Sequence, residues 1–343
     1  MNKKKILITG GAGYIGSHTC VVLMQAGFEI VVLDNFCNSS EIALTRVKKI
    51  VGRDFKHYVL DVRDTDSLRN VFAVEKPFAV IHFAGLKSVN ESIDQALNYY
   101  DNNIAGTLSL LKVMKESQVY KLIFSSSATV YQQSTIMPIA ENSLLSACQP
   151  YGQSKLMIEE IIRDIVKVDA NWQVAILRYF NPVGNHESGL IGEAPCGKPN
   201  NLLPLISQVA SGELANLSIF GNDYPTLDGT GVRDYVHVMD LAKGHVAALQ
   251  AIESWHEALP LTVNLGTGRG YSVLEMIHAF EAASAKVIPY KMVGRRAGDL
   301  AVCLADPSLA ATLLDWQAKE SIEKICADTW LWQSMNPQGY TEI

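Results

Sequence analysis

Through the first half of the chain, short apolar runs alternate with longer stretches in which apolar residues recur at helical spacing. Lys5-Ile6-Leu7-Ile8-Thr9 has no polar interruption inside it, as expected of a strand buried on both faces. Further strands are predicted at 29–33 (closing on Asp34), 57–60, 79–83, 122–126 and 174–179. Helical patterns fill the intervals, notably 14–26, 97–115 and 151–168. Continuous apolar strands separated by helices imply a doubly wound α/β domain with a parallel sheet covered on both faces.

After Asn181-Pro182 the texture changes: Gly, Pro and Asn crowd 184–201 and strict alternation stops. We place a domain boundary there, giving 1–182 and 183–343, with some later segments returning to pack on the first domain. The second part reads as a smaller mixed α/β domain, with helices near 205–211, 241–252 and 273–283 and strands near 217–220 and 261–265.

Composition narrows the function classes. The 343 residues are 48% apolar and 19% charged, with a net charge of −6, as in a soluble globular protein. Scattered basic residues and a negative balance leave no footprint for nucleic acid. Lys3-Lys4-Lys5 could open a signal peptide, but the apolar run behind it stops at Thr9-Gly10, and no other stretch could cross a bilayer. A cytoplasmic protein without membrane partners is expected. The six cysteines (Cys20, Cys37, Cys148, Cys196, Cys303, Cys326) show no C-x-x-C pair, so free thiols are expected. The eight histidines carry no H-E-x-x-H spacing, and no metal is expected.

The first βα turn carries candidate chemistry. Gly10-Gly11-Ala12-Gly13-Tyr14-Ile15-Gly16 is a G-x-x-G-x-x-G pattern between a strand and a helix. Glycines there let the backbone approach a pyrophosphate at a helix N-terminus, the fingerprint of a Rossmann dinucleotide fold. Alone, such a run is only a tight turn. Asp34, eighteen residues beyond Gly16 at the end of the second strand, supplies a second signal. A carboxylate there accepts from both ribose hydroxyls and repels a 2′-phosphate. Each charge-assisted bond is worth about 1.5–3 kcal/mol, enough to favour NAD over NADP. Asp61, closing the third strand, can approach the adenine, although by itself it would be an ordinary strand-end aspartate.

Tyr151 and Lys155 lie four apart at the start of a predicted helix, on one face. Of the thirteen tyrosines only Tyr151 has lysine at that offset. A neighbouring ammonium draws a phenol's pKa down from about 10, toward a usable base. Ser125-Ser126-Ser127 ends the preceding strand, so its hydroxyls face the same crevice as Gly13. A hydroxyl that donates and accepts suits a substrate alcohol that becomes a ketone.

GGAGYIG, Asp34, SSSATVY, YGQSK and RYFNPVG together resemble the extended short-chain dehydrogenase/reductase superfamily. More narrowly the chain resembles the UDP-glucose 4-epimerase family nearly end to end, adding DNNIAGTL, KPNNLLPLI, FGNDYPTLDGTGVRDYVHVMDLA, NLGTG and WQSMNPQGY. The resemblance implies interconversion of UDP-glucose and UDP-galactose at C4 through a 4-keto sugar and bound NADH, and it implies a homodimer paired through helices 97–115 and 151–168. It makes Tyr151 the base, Lys155 its tuner and the holder of the nicotinamide ribose, and Ser127 a partner of the sugar oxygen. The implied NAD contacts are Gly10, Gly13, Tyr14, Ile15, Gly16, Asp34, Asn35, Asp61, Val62, Phe83, Ala84, Gly85, Lys87, Asn102, Ser125, Tyr151, Lys155 and Tyr179. The implied UDP-hexose contacts are Lys87, Ser127, Tyr151, Asn181, Asn201, Leu202, Phe220, Arg233, Arg296, Asp299 and Cys303. An aromatic such as Phe220 suits a uracil face, and two arginines suit a diphosphate.

Two departures stand out. Gln132-Gln133 replaces the family's usual glycine and acid, which implies a local loop change. Cys303 stands where the family has a tyrosine or a small residue, and the small form implies acceptance of UDP-GlcNAc and UDP-GalNAc. Sister dehydratases and decarboxylases need ionisable residues after Ser127, where this chain has Ala128 and Thr129. A non-catalytic NAD sensor on the same fold could discard the tyrosine–lysine pair, which this chain keeps.

Overall fold

The computed structural model describes residues 4–133, 136–194, 197, 199, 201–296 and 298–341; Lys3, Cys196, Lys198 and Asn200 lie outside them. Six strands alternate with helices at the start: β1 (Lys5–Thr9), β2 (Glu29–Asp34), β3 (Lys56–Val59), β4 (Ala79–His82), β5 (Lys121–Ser127) and β6 (Gln173–Tyr179). Seven more follow among the described residues: β7 (Asn181–Val183), β8 (Leu217–Phe220), β9 (Val232–His237), β10 (Leu261–Leu265), β11 (Gly270–Ser272), β12 (Tyr290–Val293) and β13 (Val302–Cys303).

The apolar runs become strands because both faces of the sheet are covered. Ile6 and Ile8 join the core on one face and Leu7 the core on the other, all three fully buried. Helices Tyr14–Gln25, Glu41–Val51 and Val238–Ala251 supply the first core; Thr65–Glu75, Gly106–Glu116 and Pro150–Val168 supply the second. The seven-stranded sheet runs in the order β10-β6-β5-β4-β1-β2-β3, and every pairing is parallel. This is the doubly wound parallel sheet that the sequence pattern predicts. The chain winds outward from β1 to β3 and then crosses to β4 on the other side of β1. Loops after β1 and β4 therefore diverge and leave a crevice between them.

One strand of this sheet, β10, comes from beyond residue 182 and pairs with β6 from Leu261↔Ala175 to Leu265↔Tyr179. Helix Val238–Ala251 likewise packs on helix Tyr14–Gln25. The rest of the later chain builds a second sheet around β9. Its first half lies between β11 and β13, and its second half runs beside β7. A parallel pair, β8 with β12, stands apart. These elements enclose a core of their own, with Leu203, Ile206, Phe280 and Ile325 at its centre.

The expected helix over 97–115 is interrupted in kind, not in course. Helices Ala96–Tyr100 and Gly106–Glu116 are joined by a π-helical turn, Asp101–Ala105. Within that turn Asn103 ties the helix to its neighbours: its side chain accepts from Leu86 N–H at 2.8 Å and donates to Leu86 O at 3.1 Å and Ser154 Oγ at 3.0 Å. Widened turns of this kind recur at functional sites. Strands β7, β9, β11, β12 and β13 and helices Ser308–Leu314 and Ile322–Met335 carried no clear periodicity and were not anticipated.

Candidate active site

The turn after β1 is shaped by contacts that exclude a side chain. Gly10 has φ +70°, and a Cβ on it would lie 2.6 Å from Ala84 N. A Cβ on Gly16 would lie 2.3 Å from Gly10 O and 2.8 Å from Gly11 Cα. Gly13 caps helix Tyr14–Gln25 in an extended conformation, and no side chain caps that helix. Its first-turn N–H groups are thus left for a ligand, and an anion is the natural partner.

Asp34 ends β2 beside this turn. Its carboxylate accepts from Ala12 N–H at 2.9 Å, Phe36 N–H at 3.0 Å and Ser39 Oγ at 2.9 Å. A carboxylate has about four acceptor sites, so capacity for a ribose hydroxyl remains. Asp61 is held well below the usual carboxylate range, chiefly by hydrogen bonds from Arg63, with Asn35 adding a bond of 2.9 Å. The donor set and the excluded Cβ positions fit an NAD: a backbone cradle for the diphosphate and a fixed anion at the ribose end.

The other end of the cleft lies at the carboxyl end of β5. Lys155 is buried and donates from Nζ to Ser125 O at 2.8 Å. Its ammonium stands 6.0 Å from the Tyr151 ring centre. The Ser127 hydroxyl lies near the Tyr151 phenol and favours its ionised form. Ser127 Oγ accepts from Thr129 N–H at 3.2 Å and Thr129 Oγ1 at 3.0 Å. From sequence, Lys155 should draw the phenol's pKa down. In the protein alone burial pushes it up, opposed by the nearby Ser127 hydroxyl. Burial likewise lowers Lys155 to about 8, against the opposing charge of Glu159.

Behind these groups runs a buried polar network that no local motif announced. Glu159, one turn after Lys155, accepts from Ser126 Oγ at 2.5 Å and from Arg178 at 3.0 and 2.7 Å. Arg178 also donates to Tyr131 Oη at 2.9 Å, and Tyr131 donates to Asn264 Oδ1 at 2.6 Å. The network ties helix Pro150–Val168 to β5, β6 and β10, fixing where Tyr151 and Lys155 stand. Tyr131, in the SSSATVY stretch, points into this network.

One open cleft of about 320 Å³ is lined by Gly10, Gly13, Tyr14, Ile15, Gly16, Asp34, Asn35, Asp61, Val62, Phe83, Ala84, Gly85, Lys87, Asn102, Ser125, Ser127, Tyr151, Lys155, Tyr179, Asn181 and Asn201. It brings together every residue assigned to the cofactor and part of the substrate set. Leu202, Phe220, Arg233, Arg296, Asp299 and Cys303 stand outside that lining. Arg296 lies over the Phe220 ring at 3.8 Å, Arg233 meets Asp299 at 3.5 Å, and Cys303 is the cross-strand neighbour of Arg233.

Sequence reasoning missed Glu193, which accepts from Lys87 Nζ at 3.0 Å and Asn201 Nδ2 at 2.8 Å and so joins the two sides of the cleft. It also missed Leu86, Ser39 and Phe180 in the lining. An acid just ahead of the Asn201 motif was the only available signal for Glu193.

A profile of the NAD dependent epimerase/dehydratase family matches residues 6–266. A UDP-glucose 4-epimerase of Bacillus subtilis is 56% identical over 335 residues, covering 98% of both chains. Among solved structures, a UDP-glucose-4-epimerase from Stenotrophomonas maltophila with bound NAD and formylated UDP-arabinopyranose superposes with a TM-score of 0.95 at 46% identity, covering 98% of this chain and 99% of that one. The Bifidobacterium longum UDP-glucose 4-epimerase, in complex with NAD+ and UDP, gives 0.93 at 50% identity, covering 98% and 100%. With a glycine cradle, a strand-end aspartate and a tyrosine–lysine–serine group in one cleft, the chain belongs to the NAD dependent epimerase/dehydratase family and, within it, to the UDP-glucose 4-epimerases.

Proposed function

We propose that this chain interconverts UDP-glucose and UDP-galactose by inverting C4 through a 4-keto sugar, using a retained NAD. The observation that carries this reading is the meeting of Tyr151, Lys155 and Ser127 at one end of a cleft whose other end is a dinucleotide cradle. NAD, when bound, supplies the acceptor and then the donor of the C4 hydride, together with a positive charge beside the phenol.

The protein's own groups handle binding and the proton. The Gly10–Gly16 turn receives the diphosphate, Asp34 the adenosine ribose, and Lys155 the nicotinamide ribose. Tyr151 takes the proton from the sugar 4-hydroxyl and later returns it, and Ser127 holds that oxygen as alcohol and as ketone. Burial alone would leave Tyr151 too weak an acid to ionise, so the added cationic charge of the holoenzyme is what makes it a base. The positions after Ser127, Ala128 and Thr129, offer no second proton carrier, which disfavours dehydration.

On the substrate side we assign Asn181, Asn201 and Leu202 to the approach, Phe220 to the uracil face, and Arg233, Arg296 and Asp299 to the diphosphate and its loop. Cys303 borders the small apolar cluster of Val130, Leu156 and Phe180, and a small side chain there leaves room for an N-acetyl group. We therefore include UDP-GlcNAc and UDP-GalNAc among the substrates. The division of labour falls near residue 182, with the cofactor held before it and the UDP-sugar mainly after it. Exposed Leu97, Leu108 and Met157 on the helices at 96–116 and 150–168 support a homodimer paired there. No helix among the described residues is long and apolar enough to cross a membrane, which supports a cytoplasmic enzyme.

The decisive experiment incubates the purified chain with UDP-galactose and no added NAD. UDP-glucose should accumulate to an equilibrium mixture with no net redox change, and absence of product rejects the reading.

A further inference from the structure

Two aromatic side chains of the cleft, Phe83 just after β4 and Tyr179 at the end of β6, meet one residue with no role in the mechanism above. His245, wholly buried on helix Val238–Ala251, lies 4.8 Å from the Phe83 ring and 5.4 Å from the Tyr179 ring. Its Nδ1 is 2.8 Å from Leu241 O, the carbonyl one turn back on its own helix. A carbonyl oxygen only accepts, so Nδ1 carries the imidazole proton and Nε2 keeps a lone pair. Nε2 faces the Tyr179 hydroxyl in a short hydrogen bond. The phenol must therefore be the donor.

That assignment fixes what Tyr179 offers to the cleft. Its one hydrogen is committed to His245, away from the ligand, and its oxygen is left only to accept. The Ser125 hydroxyl, which lines the same cleft, lies on the side of the Tyr179 phenol where its lone pairs are open. Burial holds the imidazole neutral, lowering its pKa to about 4, so the arrangement persists at neutral pH.

We infer that His245 is a positioning residue that locks the Tyr179 phenol as a hydrogen-bond acceptor toward the cleft and braces Phe83, so that this end of the site receives an N–H or O–H donor on the nicotinamide riboside half of the cofactor. The inference rests on the proposed reading of the cleft as an NAD-retaining epimerase site. Without His245 the phenol hydrogen is free to turn into the cleft and present a donor where a donor must be received.

The test is a double-substitution cycle read as the rate of NAD release from purified holoenzyme after dilution, with thermal unfolding followed in parallel. H245L and Y179F should each speed release about ten-fold, the worth of one hydrogen bond. The double variant should release no faster than Y179F alone, because both changes remove the same bond. Wild-type retention in H245L, or losses that multiply in the double variant, would overturn the inference. If H245L does not fold, H245Q decides: its side-chain oxygen restores an acceptor to the phenol, so release at the wild-type rate is expected and ten-fold faster release refutes the assignment. A wild-type chain that neither holds NAD nor interconverts the two UDP-hexoses would instead sink the underlying reading of the site.

Discussion

The two sides of the cleft are built from different materials. The cofactor side is backbone and buried groups: glycines whose Cβ positions are occupied by neighbouring atoms, an aspartate bound three times by the protein, and a lysine pinned to Ser125 O. The substrate side is long side chains on short strands and loops, with Arg296 exposed and Arg233 only partly covered. A preformed cradle loses little entropy on binding, whereas ordering an arginine costs about 0.5–1.5 kcal/mol. The difference matches the proposed reaction, in which NAD stays while the sugar must turn over between hydride transfers.

Substitutions can break this contrast. Tyr151→Phe should have the largest effect, lowering the interconversion rate by about 10²–10⁴-fold, the worth of a general base. Most NAD should be retained, because Tyr151 is one contact among many and the diphosphate cradle lies at the other end of the cleft; steady-state rates and cofactor content per chain check both. Gly16→Ala should damage the rigid side directly. The atoms it would strike are backbone, so relief requires moving the turn, at about 1–3 kcal/mol. Retained NAD should fall ten- to about a hundred-fold, measured by dialysis of the holoenzyme.

Acid probes the same side through its buried imidazoles. His82 bonds Thr9 Oγ1 at 2.6 Å and Thr107 Oγ1 at 2.9 Å, and burial lowers its pKa to about 3. Its folded pKa lies below the unfolded value of about 6.5, so the unfolded chain takes up the proton first. The stability it contributes is complete above that value and is lost as pH falls toward 3. Between pH 6.5 and 5 this amounts to about 2 kcal/mol. Denaturant titrations at both pH values should show the loss, and His82→Gln should lessen it by His82's share, leaving that of the other buried imidazoles such as His245.

The substrate side should respond more gently. Arg296→Ala should raise KM for UDP-galactose by about ten-fold with kcat little changed, the signature of lost uniform binding. A fall in kcat alone would place Arg296 in the chemistry and blur the contrast. Smallest in absolute rate, yet most specific, is Cys303→Tyr. It should leave UDP-galactose turnover near wild type and depress UDP-GalNAc turnover selectively; parallel product analysis with both substrates would reveal an unchanged ratio and so remove Cys303 as the determinant.

The same contrast governs what could be read in advance. The cradle, Asp34, Ser127 and the Tyr151–Lys155 pair are local in sequence, because strand, turn and helix follow one another and their geometry is dictated by neighbours. Strands β1, β2, β5 and β6 were legible for the same reason. Glu193 and His245 were not: their partners Lys87 and Tyr179 stand more than sixty positions away, and apart from the Asn201 motif just after Glu193 nothing near either residue in sequence records them. Strands β7, β11, β12 and β13 are short and partly exposed, so they carry too few apolar positions to show a period, and in β9 the polar Arg233, Asp234 and His237 break up the apolar run. The Phe220–Arg296 group was named only through resemblance, since no spacing rule joins residues 220, 233, 296 and 303.

The pairing of β10 with β6 has a consequence for how the protein is made. At synthesis rates of about 5–20 residues per second, the outer edge of β6 waits several seconds for its last neighbour to leave the ribosome. During that interval a row of unpaired amides and apolar side chains lies open to any other extended strand. The nascent chain is therefore most prone to aggregate between the emergence of β6 and that of β10, and a chaperone that shields this edge would raise its yield without touching its chemistry.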